Sequence, residues 1–183
     1  NHNFGLDIAI SHEEEMLLDT DDNLKKAAWF FDDQQPFLVQ NVDVISDIDY
    51  REMLRFHTQT QSLATLAVSQ RETSRYFLFD EAMQLSGWEN IKTGEIKSLR
   101  ESPQNLKQLA FSGIHIIDPR IFSLVNNTGK FSIVDTYLQL GNKYRISGFL
   151  HDARNWADMG KPGDLLKAQR ILEILQEGNA NTH

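Results

Sequence analysis

The chain of 183 residues suits a single domain with a sizeable core. Hydrophobic residues make up 40% and charged residues 24%, and no uninterrupted apolar run approaches the ~20 residues of a membrane-spanning helix. A formal charge of −8 argues against broad, non-specific nucleic-acid binding, and the absence of cysteine excludes a disulfide framework, a thiol nucleophile and a thiolate metal site.

In chain order, residues 6–10 alternate apolar and polar as a short strand and run into SHEEE, a charged loop. NHNFGLDI has neither a basic stretch nor a long apolar run of a secretory leader, so the expected compartment is the cytoplasm. Residues 23–31 carry apolar side chains at offsets of three, four and seven, the pattern of a helix with one apolar face. A buried strand FLVQN, a helix over residues 49–57 and a strand SLATLAVS follow, which together make an α/β unit. Residues 75–98 change character: short strands separated by the turn signals DEA, GWEN and TGE read as an inserted β-meander. Residues 109–117 form another strand. DPRIFSLV opens a helix with Asp118 as N-cap and Pro119 at its first position, and FSIVDTYLQLG is helical up to Gly141. A strand YRISGFLH and a final helix over residues 164–176 complete the chain; Leu165, Leu166, Ala168, Ile171, Leu172 and Leu175 are expected on one side of that helix.

The stretch FLVQNVDVISDID drives a strand into Asp43, Asp47 and Asp49. In open α/β sheets, ligands bind beyond the C-terminal ends of strands, where Asn41 and Asp43 fall. A carboxylate partly removed from water there needs a positive partner, and a magnesium ion on substrate phosphates is one solution. Aspartate is equally at home in turns and helix N-caps. That role suits Asp47 and Asp49 better, while spacing alone leaves Asp43 open between the two. QRETSR sets Arg71 and Arg75 beside a strand end, either as a solvated loop or facing an anion. Lys143 and Arg145 have the same two readings. No HxxxH, HExxH or GxSxG spacing occurs.

A second stretch, WADMGKPGD at residues 156–164, decides among these readings. Together with FLVQNVDVISDID, LATLAVSQ, LAFSGIHIIDPRIF and GKFSIVDTYLQL, it resembles the nucleotidyltransferases that make nucleoside-diphospho-sugars from a nucleoside triphosphate and a sugar 1-phosphate. The resemblance implies a Rossmann-like, mixed and mostly parallel sheet flanked by helices, with the meander inserted in one domain. It implies that Asp43 and Asp158 jointly bind a catalytic Mg2+. It places Trp88, Asn90, Ser112 and Gly113 around the sugar 1-phosphate, and Thr20 and Asn41 around the nucleotide. Glu95 there is either a hairpin-turn residue or a hydroxyl ligand. No partner beyond these two substrates is implied, and oligomeric state is not legible.

The chain departs from the family pattern in four places. Val42 stands where glycine is frequent, and Lys161 where threonine is. LDTDDNLKKA replaces an expected LDTGGGLKKA, putting Asp21, Asp22 and Asn23 where glycines would let backbone approach a base. The glycine-rich triphosphate loop is not found, and roughly 60 residues of the pattern, about two strand-helix units, are expected to be missing upstream. The corresponding expectation is an incomplete enzyme. Its rivals are a phosphocholine-type nucleotidyltransferase and a non-catalytic binding or assembly remnant.

Overall fold

The computed structural model of the protein describes residue 8 and residues 27–31, 33–99, 105–125, 132–160 and 162–180. Its elements are β1 (Phe37–Gln40), β2 (Val44–Ser46), α1 (Tyr50–Thr60), β3 (Ala64–Ser69), β4 (Arg75–Phe79), β5 (Leu85–Asn90) and β6 (Glu95–Ser98), then β7 (Lys107–Ile117), α2 (Ile121–Leu124), α3 (Ile133–Gly141), β8 (Ile146–Leu150), β9 (Trp156–Asp158) and α4 (Leu165–Ala180). The large sheet runs β6-β5-β4-β7-β3-β8, with β1 also on β7; β2 and β9 form a separate pair.

Strand β7, 11 residues long, organises the sheet. Its C-terminal half pairs antiparallel with both β1 and β3, and its first residues pair with β4. Every residue of β3, ATLAVS, is buried, as a near-continuous apolar run in a central strand should be. Alternation then sorts side chains to opposite faces. Leu66, Val68 and Ile117 join a cluster with Tyr137, Leu138 and Leu140 of α3, while Ala67, Ile114 and Ile116 join one with Met53 of α1. Helices therefore cover both faces of the sheet's centre.

The mixed sheet and the inserted meander match expectation, but the strand pairing is not mostly parallel. Strands β1, β3 and β8 point the same way, yet β7 lies between β1 and β3 and runs against both. Among the described residues, β3 with β8 is the parallel pairing.

Several local expectations change for physical reasons. Of the 23–31 helix, Ala27–Phe30 is described, as a 3-10 turn. The 6–10 strand lies outside the described residues except for residue 8. Strand β1 is buried only at Phe37, while Leu38 is 39% exposed. Asp118 and Pro119 do not open α2: Asp118 accepts the Arg120 N–H at 2.8 Å in a turn ahead of the helix, Arg120 stands at the N-cap position without a side-chain cap, and α2 lasts about one turn. On α4, Ala168 and Ile171 are buried whereas Leu165, Leu166 and Leu172 are exposed, so the packed stripe is narrower than the sequence pattern. The pair β2–β9 was not expected, because three-residue strands carry no periodicity.

Candidate functional site

At the end of β1 the chain turns sharply. The Asn41 N–H donates to the Gly113 carbonyl at 2.9 Å, and the Val44 N–H donates to the Asn41 carbonyl at 3.1 Å. The anchor of this turn is a bulge in β7. Leu66 pairs with His115 and Val68 with Phe111, so residues 112–114 stand opposite Ala67 alone. Gly113 accommodates the extra length with φ of 72°, and a Cβ there would lie 2.9 Å from Asn41 Nδ2 and 3.3 Å from Val44 Cγ2.

Immediately beyond, β2 pairs antiparallel with β9, setting Val44 opposite Asp158 and Ser46 opposite Trp156. The Met159 N–H closes the ladder on the Asp43 carbonyl at 2.7 Å. Asp43 and Asp158 thus become neighbours across a two-stranded ladder. Gly160 measures their convergence: a Cβ on it would stand 3.1 Å from Asp158 Oδ1 and 3.3 Å from Asp43 Oδ2. The Gly160 N–H also donates to Asp158 Oδ1 at 3.1 Å, fixing that carboxylate's orientation.

Strand β9 is held from three sides. Trp156 is buried and its indole N–H donates to the Ser112 carbonyl at 2.8 Å, tying β9 to the bulge. The Arg71 guanidinium lies 4.1 Å from the centroid of the Trp156 ring and donates to the Phe111 carbonyl at 2.6 Å. Below, Ala157 packs on Ala168 and Ile171 of α4. Asp47 is drawn into the same region, accepting from the Asn155 amide at 2.7 Å, and Asp49 is the N-cap of α1. Burial pulls the Arg71 pKa below its usual value, opposed chiefly by the negative charge of Asp158.

Ser112 is fully buried, and its hydroxyl lies 2.7 Å from Nε2 of His151 at the end of β8. Burial lowers the His151 pKa, partly offset by the Asp152 carbonyl and the Asp47 charge. Asn41, Asp43, Ser112, Gly113 and Asp158 are therefore gathered into one region by direct hydrogen bonds and close contacts. Trp88 and Asn90 make their described contacts within the meander and core. Trp88 packs on the main core beneath Lys97, and the Asn90 side chain accepts the Lys92 N–H at 3.0 Å. Glu95 follows a turn at Gly94 with φ of 73° and lies 3.6 Å from Lys97. Arg145 braces the start of β8, donating to Ser147 and the Ala82 carbonyl. Thr20, with the Asp21–Asn23 departure and Lys161, lies outside the described residues.

Gly160, Trp156, His151 and Arg71 were not singled out as site residues. The first two sit inside the quoted WADMGKPGD stretch, which was the one signal for them. His151 enters only through tertiary contacts, whereas Arg71 was legible as one of two arginines beside a strand end, open between a solvated loop and an anion-facing residue.

Two carboxylates make a hard oxygen donor set, and among the described residues no group of three or more His, Cys, Asp or Glu is placed to hold a metal. A Mg2+ ion suits such a place, since it keeps water and takes substrate phosphate oxygens beside one or two carboxylates. The residues present fit that ion.

The sequence profile of the family described as nucleotidyl transferase matches residues 1–174. A mannose-1-phosphate guanyltransferase beta-A of Xenopus laevis is 27% identical over 169 residues, covering 88% of this chain and 43% of the relative. A glucose-1-phosphate cytidylyltransferase of Salmonella typhimurium is 23% identical over 167 residues, 88% of this chain and 59% of the relative. Among solved structures, HddC from Yersinia pseudotuberculosis superposes with a TM-score of 0.60 at 20% identity, over 86% of this chain and 64% of that one, and so shares the fold.

Proposed function

Since the chain belongs to the nucleotidyl transferase family, we propose that the protein carrying it transfers a nucleotidyl group from a nucleoside triphosphate to a sugar 1-phosphate, with Asp43 and Asp158 holding Mg2+. The activity is proposed for the whole protein, because this chain spans 43% and 59% of the two relatives' lengths. The observation that carries the reading is the convergence of the two carboxylates on Gly160.

In the reaction, an oxygen of the sugar phosphate attacks the α-phosphorus, a new P–O bond forms, and the bond to pyrophosphate breaks in line. The attacking oxygen is already ionised at neutral pH, so no general base is required. A bound Mg2+ would neutralise charge growing on the phosphates and hold them in register. The protein's own contribution is placement. Asp43 and Asp158 are fixed by the β2–β9 ladder, and Gly160 leaves the space between them unfilled by side chain. The neighbourhood of the Gly113 bulge is our choice for the sugar phosphate, as the family resemblance implies, with the Asn41 amide packed against the glycine. Ser112 acts there as a positioning residue through His151, and Asn41 faces the nucleotide.

Asp158→Asn and Asp43→Asn test the reading. Each should lose metal-dependent turnover by roughly 10²-fold or more, in the range seen when one transition-state-stabilising group is removed. Mn2+ binding by the same variants, followed by electron paramagnetic resonance, should weaken in parallel. Undiminished metal-dependent turnover by Asp158→Asn would sink it.

A further inference from the structure

Beside the carboxylate pair, but lined by neither carboxylate, a cleft of about 510 Å3 opens between the loop after β3, the turn before β9 and α4. The charged side chains lining it are Arg71, Arg154, Lys167 and Arg170, all cationic. In a chain of net charge −8 with 18 basic residues, gathering four of them around one cleft runs against the mean field. Like charges held close repel one another, and an anion in the cleft relieves that repulsion.

The four differ in how far their charge is already answered. Arg154 is paired with Asp152 at 2.6 Å, on the exposed rim. Lys167 donates to the Ala153 carbonyl at 2.9 Å, a neutral partner that anchors the ammonium while leaving its charge unmatched. Arg71 is held by the Trp156 ring and the Phe111 carbonyl, also neutral, and its Nε is buried with no hydrogen-bond partner among the described residues. Asp158 and Asp164 face Arg71 at longer range. Arg170 projects from the same side of α4 one turn after Lys167. The Asn155 side chain, which also lines the cleft, is committed to Asp47.

We propose that this cleft is a second anion site, which takes a small phosphate-class ligand carrying two or more negative charges. Arg71 and Arg170 supply planar guanidinium groups for phosphate oxygens, Lys167 adds a point charge, and Arg154, whose Nε and Nη2 are engaged by Asp152, adds its charge from the rim. The site needs no metal, which separates it from the Asp43–Asp158 pair. Arg71 belongs to the cleft and also stacks on Trp156 of β9, so occupancy is adjacent to the strand that carries Asp158.

The test is calorimetric titration with inorganic pyrophosphate in the absence of divalent metal, with sulfate as competitor at matched ionic strength. The chain should bind pyrophosphate. Lys167→Ala/Arg170→Ala should weaken binding at least about tenfold, the loss of one or two charge-assisted hydrogen bonds. Asp158→Asn should bind undiminished, so a failure of the proposed transferase reading leaves this result intact. Arg170→Gln, at an exposed helix position, serves if the double variant does not fold. Absence of metal-free binding, binding indifferent to the Lys167 and Arg170 changes, or equal competition by sulfate would each overturn the proposal.

Discussion

Gly113 and Gly160 do different jobs with the same missing side chain. At Gly113 the backbone itself demands glycine, since a φ of 72° is costly for any L side chain. Asn41 also occupies the space a methyl would fill, at 2.9 Å. Gly113→Ala should therefore lower stability by about 1–3 kcal/mol, read as a fall in the urea midpoint. At Gly160 the backbone is unremarkable, and the neighbours are the two carboxylates. Gly160→Ala should leave the urea midpoint nearly unchanged and weaken Mn2+ binding, because the methyl enters the space between Asp43 and Asp158. A variant that binds Mn2+ as the parent does would show that the ion sits elsewhere.

At the scale of elements, the site stands on the β2–β9 ladder, six residues in two short strands that have no independent stability. Their support comes from α4 beneath and from Trp156 above. Ile171 is 2% exposed and packs with Ala157 and Ala168. Ile171→Ala should cost about 2–5 kcal/mol, the range for emptying a buried aliphatic site, and should loosen Asp158 along with the helix. Trp156→Phe keeps the apolar ring but leaves the Ser112 carbonyl without its indole donor. About 1–3 kcal/mol should be lost there, and amide exchange should speed up in residues 156–158 before it does in β3. Equal protection of β9 in parent and variant would place its anchor elsewhere.

For the whole molecule, two histidines among the described residues are buried and a third, His151, is half-buried, in ways that disfavour their charged forms. Burial takes the His115 pKa from its ordinary 6.5 to about 3. It lowers those of His57 and His151 too, with Asp118 opposing the shift at His57. The folded pKa values lie below the unfolded ones, so as pH falls beneath about 6.5 the unfolded chain takes up protons that the folded chain refuses. Stability is thus full above pH ~6.5 and declines on acidification, by about 1.4 kcal/mol per pH unit for each proton of difference. Urea midpoints should hold between pH 7.5 and about 6.5 and fall from there to pH 5, and His115→Gln should flatten the slope. A midpoint constant from pH 6.5 to pH 5 would contradict the burial of these rings. No helix among the described residues is long and apolar enough to cross a membrane.

The sequence by itself determined the α/β character and the meander, while the partnership of Asp43 with Asp158 came only through the family resemblance, since spacing alone left Asp43 open. Apolar periodicity and turn residues are local features, readable without neighbours. It also determined Asp49 as a helix cap, since the N-cap preference is a property of a residue and the next two or three N–H groups. Strand order was decided only by the tertiary structure: β7 intervenes between β1 and β3 because long-range pairing chooses neighbours that no local pattern records. The β2–β9 ladder was decided there too, along with the bulge at Gly113, the His151–Ser112 contact and the descent of Arg71 onto Trp156. Each depends on groups distant in sequence meeting at one place. The basic cleft is the clearest case: Arg71 carried an anion-facing alternative in the sequence, but Arg154, Lys167 and Arg170 lie far from it along the chain, and the four meet only when α4 packs beneath β9.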